Sequence, residues 1–293
     1  MKKLSLLFLV IFLTGTIAMS EDLGLTAGLE MGFLDLLGDD VDENIYIMPS
    51  IAYENDELVP GLELYAALGI PFWFVSDFAL GFDLDLRVAY NLEIGSASTF
   101  GFFLHSENFI PAAKDKQHPY SPLLEDATNK FTSWLTPGVS FVQSMDFGDL
   151  YAELGVPMYL APDPFDYTGL DLTLGADFSM GLGAGVTIEN WIRTQDRKND
   201  YSFFDIITLF CSYETGPFWA GLDFAIPAYK NGIKLEGMTI SPELRYMVLD
   251  NLQIYLGADI GNIGGKKVVA DGDDEGNSGD ISLGLFFGAR FSF

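Results

Sequence analysis

Apolar side chains recur at every second position of this chain, in segments longer than globular strands usually are. In 78–90, Phe78, Leu80, Phe82, Leu84, Leu86, Val88 and Tyr90 fall on one face of an extended chain, and Gly81, Asp83, Asp85 and Arg87 on the other. Period two is the mark of a strand with one apolar and one polar face. A run of about a dozen residues exceeds the five or six of an ordinary strand and matches a tilted strand that crosses a bilayer. The pattern repeats at 22–33, 45–54, 61–70, 95–105, 132–143, 149–160, 168–180, 184–193, 202–213, 217–227, 237–249, 252–262 and 280–293, so the chain reads as fourteen strands, with twelve as the alternative. Helix signals are nearly absent.

Connections between the segments alternate in length. One rim has short turns, at 55–57, 91–94, 144–148, 181–183, 214–216 and 250–251; the other has longer, charged connections, at 107–131, 194–201, 228–236 and 263–279. An even strand number with short turns at one rim and long loops at the other predicts an all-β, transmembrane, antiparallel up-and-down barrel. Lysine placement agrees: Lys114, Lys116, Lys130, Lys198, Lys230, Lys234, Lys266 and Lys267 all fall in the proposed long loops. An ammonium against lipid is costly, so a membrane wall excludes it. Tyr53, Tyr90, Tyr213, Phe218, Tyr246 and Phe293 fall outward near the short-turn rim, where an interfacial girdle belongs.

The N-terminal residues read as a secretory signal peptide over 1–20: Lys2 and Lys3, an apolar run from Leu4 to Ile17, then Ala18-Met19-Ser20 before a cut ahead of Glu21. The barrel then occupies 21–293. A net charge of −27 argues against nucleic-acid or anionic-lipid partners and in favour of cations. The single cysteine, Cys211, excludes an internal disulfide and reads as a small apolar strand residue. No cofactor motif is present.

The alternating segments and the closing "GLFFGARFSF" resemble the bacterial outer-membrane β-barrel proteins, specifically porin-like channels of middling size. The resemblance implies that the lipid bilayer and the barrel-insertion machinery are partners. In that class a C-terminal phenylalanine ending an alternating aromatic strand is the insertion signal, and Phe287, Phe291 and Phe293 match it. Fatty-acid transporters of similar strand number carry a plug before the first strand, whereas strand one here starts almost at the expected cut.

The polar face then lines the lumen, with Glu30, Glu54, Glu63, Asp83, Asp85, Glu153, Asp171, Asp177, Glu189, Asp223, Glu243 and Asp259 against Arg87, Arg245 and Arg290. Fourteen strands about 4.8 Å apart and tilted by about 40° enclose a backbone cylinder on the order of 28 Å wide. The expectation is a water-filled pore for small hydrophilic solutes that favours cations, with Arg87 paired to Asp85 or Asp83 and Phe286 packed over Gly28 or Gly32. A barrel with a closed lumen that serves structure or adhesion is the alternative, and the 107–130 loop could plug it. A transporter of hydrophobic solutes and an outer-membrane hydrolase built on His105 and Ser106 are further alternatives. Asp271, Asp273 and Glu275 resemble half a calcium loop without its twelfth-position acid, so a solvated charge run is the simpler reading.

Overall fold

The computed structural model describes residues 24–33, 45–55, 59–73, 79–110, 131–161, 167–193, 203–229, 232–233, 237–263 and 281–293. The expected signal peptide, the loop beyond Ile110 and the acidic segment with Asp271, Asp273 and Glu275 lie outside them. Among the described residues there are no helices, and the strands are those the alternation marks out. They are β1 (Leu25–Phe33), β2 (Ile45–Asn55), β3 (Leu62–Gly69, resuming at Phe72–Trp73), β4 (Ala79–Leu80, then Phe82–Ile94), β5 (Ser98–Ile110), β6 (Thr132–Met145) and β7 (Gly148–Gly155, resuming at Met158–Ala161). The second half holds β8 (Tyr167–Phe178), β9 (Leu182–Arg193), β10 (Phe203–Thr215), β11 (Phe218–Tyr229), β12 (Met238–Leu249), β13 (Leu252–Ile263) and β14 (Ser282–Ser292). A two-residue piece, Gly232–Ile233, adds to the end of β11.

Every strand pairs antiparallel with the next, and β14 returns to β1 in the register Thr26↔Ser292 to Phe33↔Leu285. The sheet therefore has no free edge. Side chains alternate across it: on β4, Leu86, Val88, Tyr90 and Leu92 are exposed on the outer face, while Ala89 between them is buried on the inner one. Among the described residues no strand contains a lysine. The expected girdle is in place, with Tyr90, Tyr213, Phe218 and Tyr246 exposed outward and the Phe218 and Tyr246 positions directly opposed. Cys211 sits exposed on the same outer face.

The short-turn rim is stitched by hydrogen bonds that pass from each turn to a neighbouring strand. The carbonyls of Gly24, Gly61, Ala97, Phe147, Gly181, Pro217 and Asn251 accept the N–H groups of Glu54, Asn91, Ser144, Ser179, Glu214, Met247 and Ser292. Gly181 makes its part of this chain at φ +86°, a backbone conformation that a side chain would strain, and a Cβ there would also strike the Glu214 carbonyl. The Phe293 N–H donates to the Leu25 carbonyl at 2.8 Å, so the last residue is held in the wall.

Several strands run one or two residues into connections the sequence reading expected, as at Met145, Thr215, Tyr229 and Ile263, and two ends differ by more. The turn expected at 91–94 lies at 95–97, because β4 carries its alternation on through Leu92 and Ile94. Glu107, expected in a loop, is still in β5, which runs to Ile110. Two strands are also interrupted next to proline, which has no N–H to give the ladder. At these breaks the carbonyls take over: Pro71 accepts from Gly81 at 2.9 Å and Pro157 from Gly169 at 2.9 Å.

An outward face built for hydrocarbon makes a direct prediction. Val88→Lys, in the middle of β4, should lower the unfolding free energy in lipid vesicles by about 2–4 kcal/mol. Denaturant titration in vesicles checks it, and an unchanged midpoint would mean that this face does not meet lipid.

Candidate functional site

Glycine and aromatic residues build the inner wall together. Six inward rings lie flat over a glycine directly opposite on an adjacent strand: Tyr46 over Gly32, Phe103 over Gly138, Tyr151 over Gly175, Phe210 over Gly185, Tyr255 over Gly288 and Phe286 over Gly257. Trp219 covers Gly221 on its own strand. A Cβ at any of these glycines would fall inside the ring above it. Phe286 thus packs over Gly257 rather than Gly28 or Gly32, because Tyr46 already occupies the space over Gly32 and the Arg290 stem lies beside Gly28.

The arginines form a third tier on these rings. The Arg87 guanidinium carbon sits 4.3 Å from the Phe103 ring centre, Arg245 sits 4.0 Å from Trp219, and Arg290 sits 4.5 Å from Tyr255. Such contacts contribute about 0.5–1 kcal/mol each where water still reaches the cation. From its ring, Arg87 reaches Glu153 of β7 rather than Asp85 or Asp83, donating through Nη1 and Nη2 at 3.1 and 2.5 Å. Its path crosses the ring of β5 and the glycine of β6. Arg245 donates to Glu243 through Nε at 2.7 Å and Nη2 at 3.0 Å.

The other predicted lining residues divide by partner. Glu30, buried at the β1–β14 seam, accepts from Tyr46 at 2.7 Å and from Tyr255 at 2.9 Å. Asp85 lies 2.6 Å from His105 Nε2, Glu63 accepts from Asn91 at 2.6 Å, and Asp259 accepts from Ser241 at 2.7 Å. Asp171 stands opposite Glu189, and its Oδ1 is buried without a hydrogen bond. Asp83 and Asp177 face inward on β4 and β8, Glu54 on β2, and Asp223 is exposed on β11. A hollow of about 390 Å³ opens on this side, lined by Thr187, Glu189, Thr208, Ser212 and Asp223 among others.

Sequence reasoning missed four further carboxylates on the same face: Glu93 near the end of β4, Glu107 near the end of β5, and Asp149 and Glu214 at the start of β7 and the end of β10. The alternation would have found them had it been followed to the strand ends. The inward rings were also missed, except Phe286, because a barrel pattern leads one to expect aromatics outside. His105 and Ser106 point to opposite faces, and Ser106 Oγ instead accepts from Asn108 at 3.0 Å. The hydrolase arrangement is therefore not assembled by these two residues. Among the described residues no cluster of three or more His, Cys, Asp or Glu could hold a metal ion.

The architecture is a closed, fourteen-stranded antiparallel β-barrel. Three solved structures are similar to it: the outer membrane channel DcaP of Acinetobacter baumannii (11% identity, covering 94% of this chain and 99% of that one, TM-score 0.47), the outer membrane protein Omp33 of the same organism (7%, 92% and 98%, 0.48) and OmpT, an outer membrane protein of Vibrio cholerae (12%, 92% and 96%, 0.45). No family model and no curated protein matches the sequence.

The seam carboxylate gives the next prediction. Tyr46→Phe and Tyr255→Phe should each destabilise the refolded barrel by about 1–3 kcal/mol, since each leaves one oxygen of a buried carboxylate unpaired. Unfolding curves of the two single variants and the double variant in detergent measure this, and a double loss that differs from the sum of the singles identifies one coupled cluster.

Proposed function

We propose that this chain is a diffusion channel of a bacterial outer membrane, water-filled, that passes small hydrophilic solutes and favours cations. The observation that carries this reading is the charge of the inner face. Carboxylates project from strands all round the barrel, whereas among the described side chains the inner face shows three arginines, Arg87, Arg245 and Arg290, two of them bound to carboxylates of their own. Carboxylates that face one another across a narrow, low-dielectric space raise the local concentration of cations and repel anions. Asp171 stands opposite Glu189, and Glu189 and Asp223 both line the hollow, so three carboxylates share this stretch of wall.

The same reading covers delivery. The N-terminal segment exports the chain, and the closing strand supplies the recognition element for insertion, with Phe287 and Phe291 outward and Phe293 tied to Leu25 at the seam. The outward apolar band and the tyrosine girdle supply the fit to a bilayer.

Conductance decides the reading. Refolded protein in a planar bilayer under a potassium chloride gradient should carry current, with a reversal potential on the cation-selective side. The triple variant Asp171→Asn, Glu189→Gln, Asp223→Asn should move that potential toward zero. A barrel that never conducts defeats the channel, and a conducting barrel whose reversal potential ignores the triple variant defeats the assigned lining.

A further inference from the structure

We propose that Phe103, Trp219 and Tyr255 are positioning residues for ion preference: they hold Arg87, Arg245 and Arg290 low against the wall, so that the neighbouring carboxylates face the permeating ion. This rests on the channel reading and names the device that sets its selectivity. All three predicted lumen arginines lie on a ring, at 4.3, 4.0 and 4.5 Å, and each ring in turn covers a glycine. The same three-tier arrangement is built separately at β4–β6, on β11–β12 and at β13–β14. Two of the rings, Phe103 and Tyr255, are among the most buried side chains of the wall.

The chemistry of guanidinium explains why a ring serves here. Its flat faces are weakly hydrated and its edges carry the donors, so a ring can cover one face while the edge reaches a carboxylate. Arg87 and Arg245 do both at once, through Glu153 and Glu243. The cation then lies low, with its field partly cancelled at the wall. Without the ring, the long side chain is free to rise toward the carboxylates across the lumen and to place a positive charge on the ion's path. A glycine beneath each ring is what gives the stack room: with a Cβ there the ring would be lifted and the cation with it.

The test uses the full-length refolded protein, with folding checked for every variant by heat-modifiable mobility. Phe103→Leu, Trp219→Leu and Tyr255→Leu should each shift the reversal potential toward anions, and the triple variant should shift it furthest. Phe103→Tyr, which keeps a ring, should retain the parent value, and Arg87→Gln should not reduce cation preference. In a second measurement, phenylglyoxal should modify Arg87, Arg245 and Arg290 faster, by mass spectrometry, once the ring beneath each is removed. A triple variant that conducts with the parent reversal potential overturns the proposal, as do unchanged labelling rates. A parent barrel that does not conduct sinks the channel reading and the selectivity role with it, whereas conduction with an unmoved potential sinks the selectivity role alone.

Discussion

A backbone amide has no partner in hydrocarbon other than another backbone amide, and every other feature of this barrel follows from that restriction. An unpaired N–H or C=O costs several kcal/mol in such surroundings, so a strand can enter a membrane only if both of its edges are taken. The chain meets the condition by returning its last strand to its first, with Phe293 bonded to Leu25. Closure also explains how prolines are tolerated: where Pro71 and Pro157 cannot donate, their carbonyls accept across the break and the wall stays continuous.

Once the sheet is closed, its inner face has to be filled without a conventional core. The rings over glycine are the solution adopted here. A glycine in a strand weakens it unless something covers the exposed backbone, and a ring from the neighbouring strand does so while it pins the register of the two strands. Tyr255 shows how far one residue can serve: it covers Gly288, carries Arg290 on its face and donates to Glu30. Packing, charge placement and seam closure thus share a single side chain.

The fold was legible because the membrane imposes one rule on every strand. Alternation, lysine exclusion and the two rims together led to fourteen strands, and each of them is present. Strand ends were less legible: in β5 the outward positions turn polar at Ser106 and Asn108, so its end is easily placed too early, whereas β4 keeps its alternation through Leu92 and Ile94, past the Asn91 that reads as a turn residue. Partner choice was not legible at all. Arg87 has Asp85 two residues away, yet it pairs with Glu153, three strands distant, because the ring of Phe103 aims it there and His105 occupies Asp85. Contacts of that kind depend on the register of four strands together, which no local pattern records.

The turn-to-strand bonds at the short-turn rim have a mechanical meaning. Seven carbonyls, each handing a bond to a neighbouring strand, run from Gly24 round to Asn251, and Phe293 joins the ends at Leu25. Such a chain of links acts as a hoop: it resists widening because no single strand can move outward without stretching a bond on its neighbour. The circumference at that end is therefore held by backbone bonds added to those of the strand ladder itself.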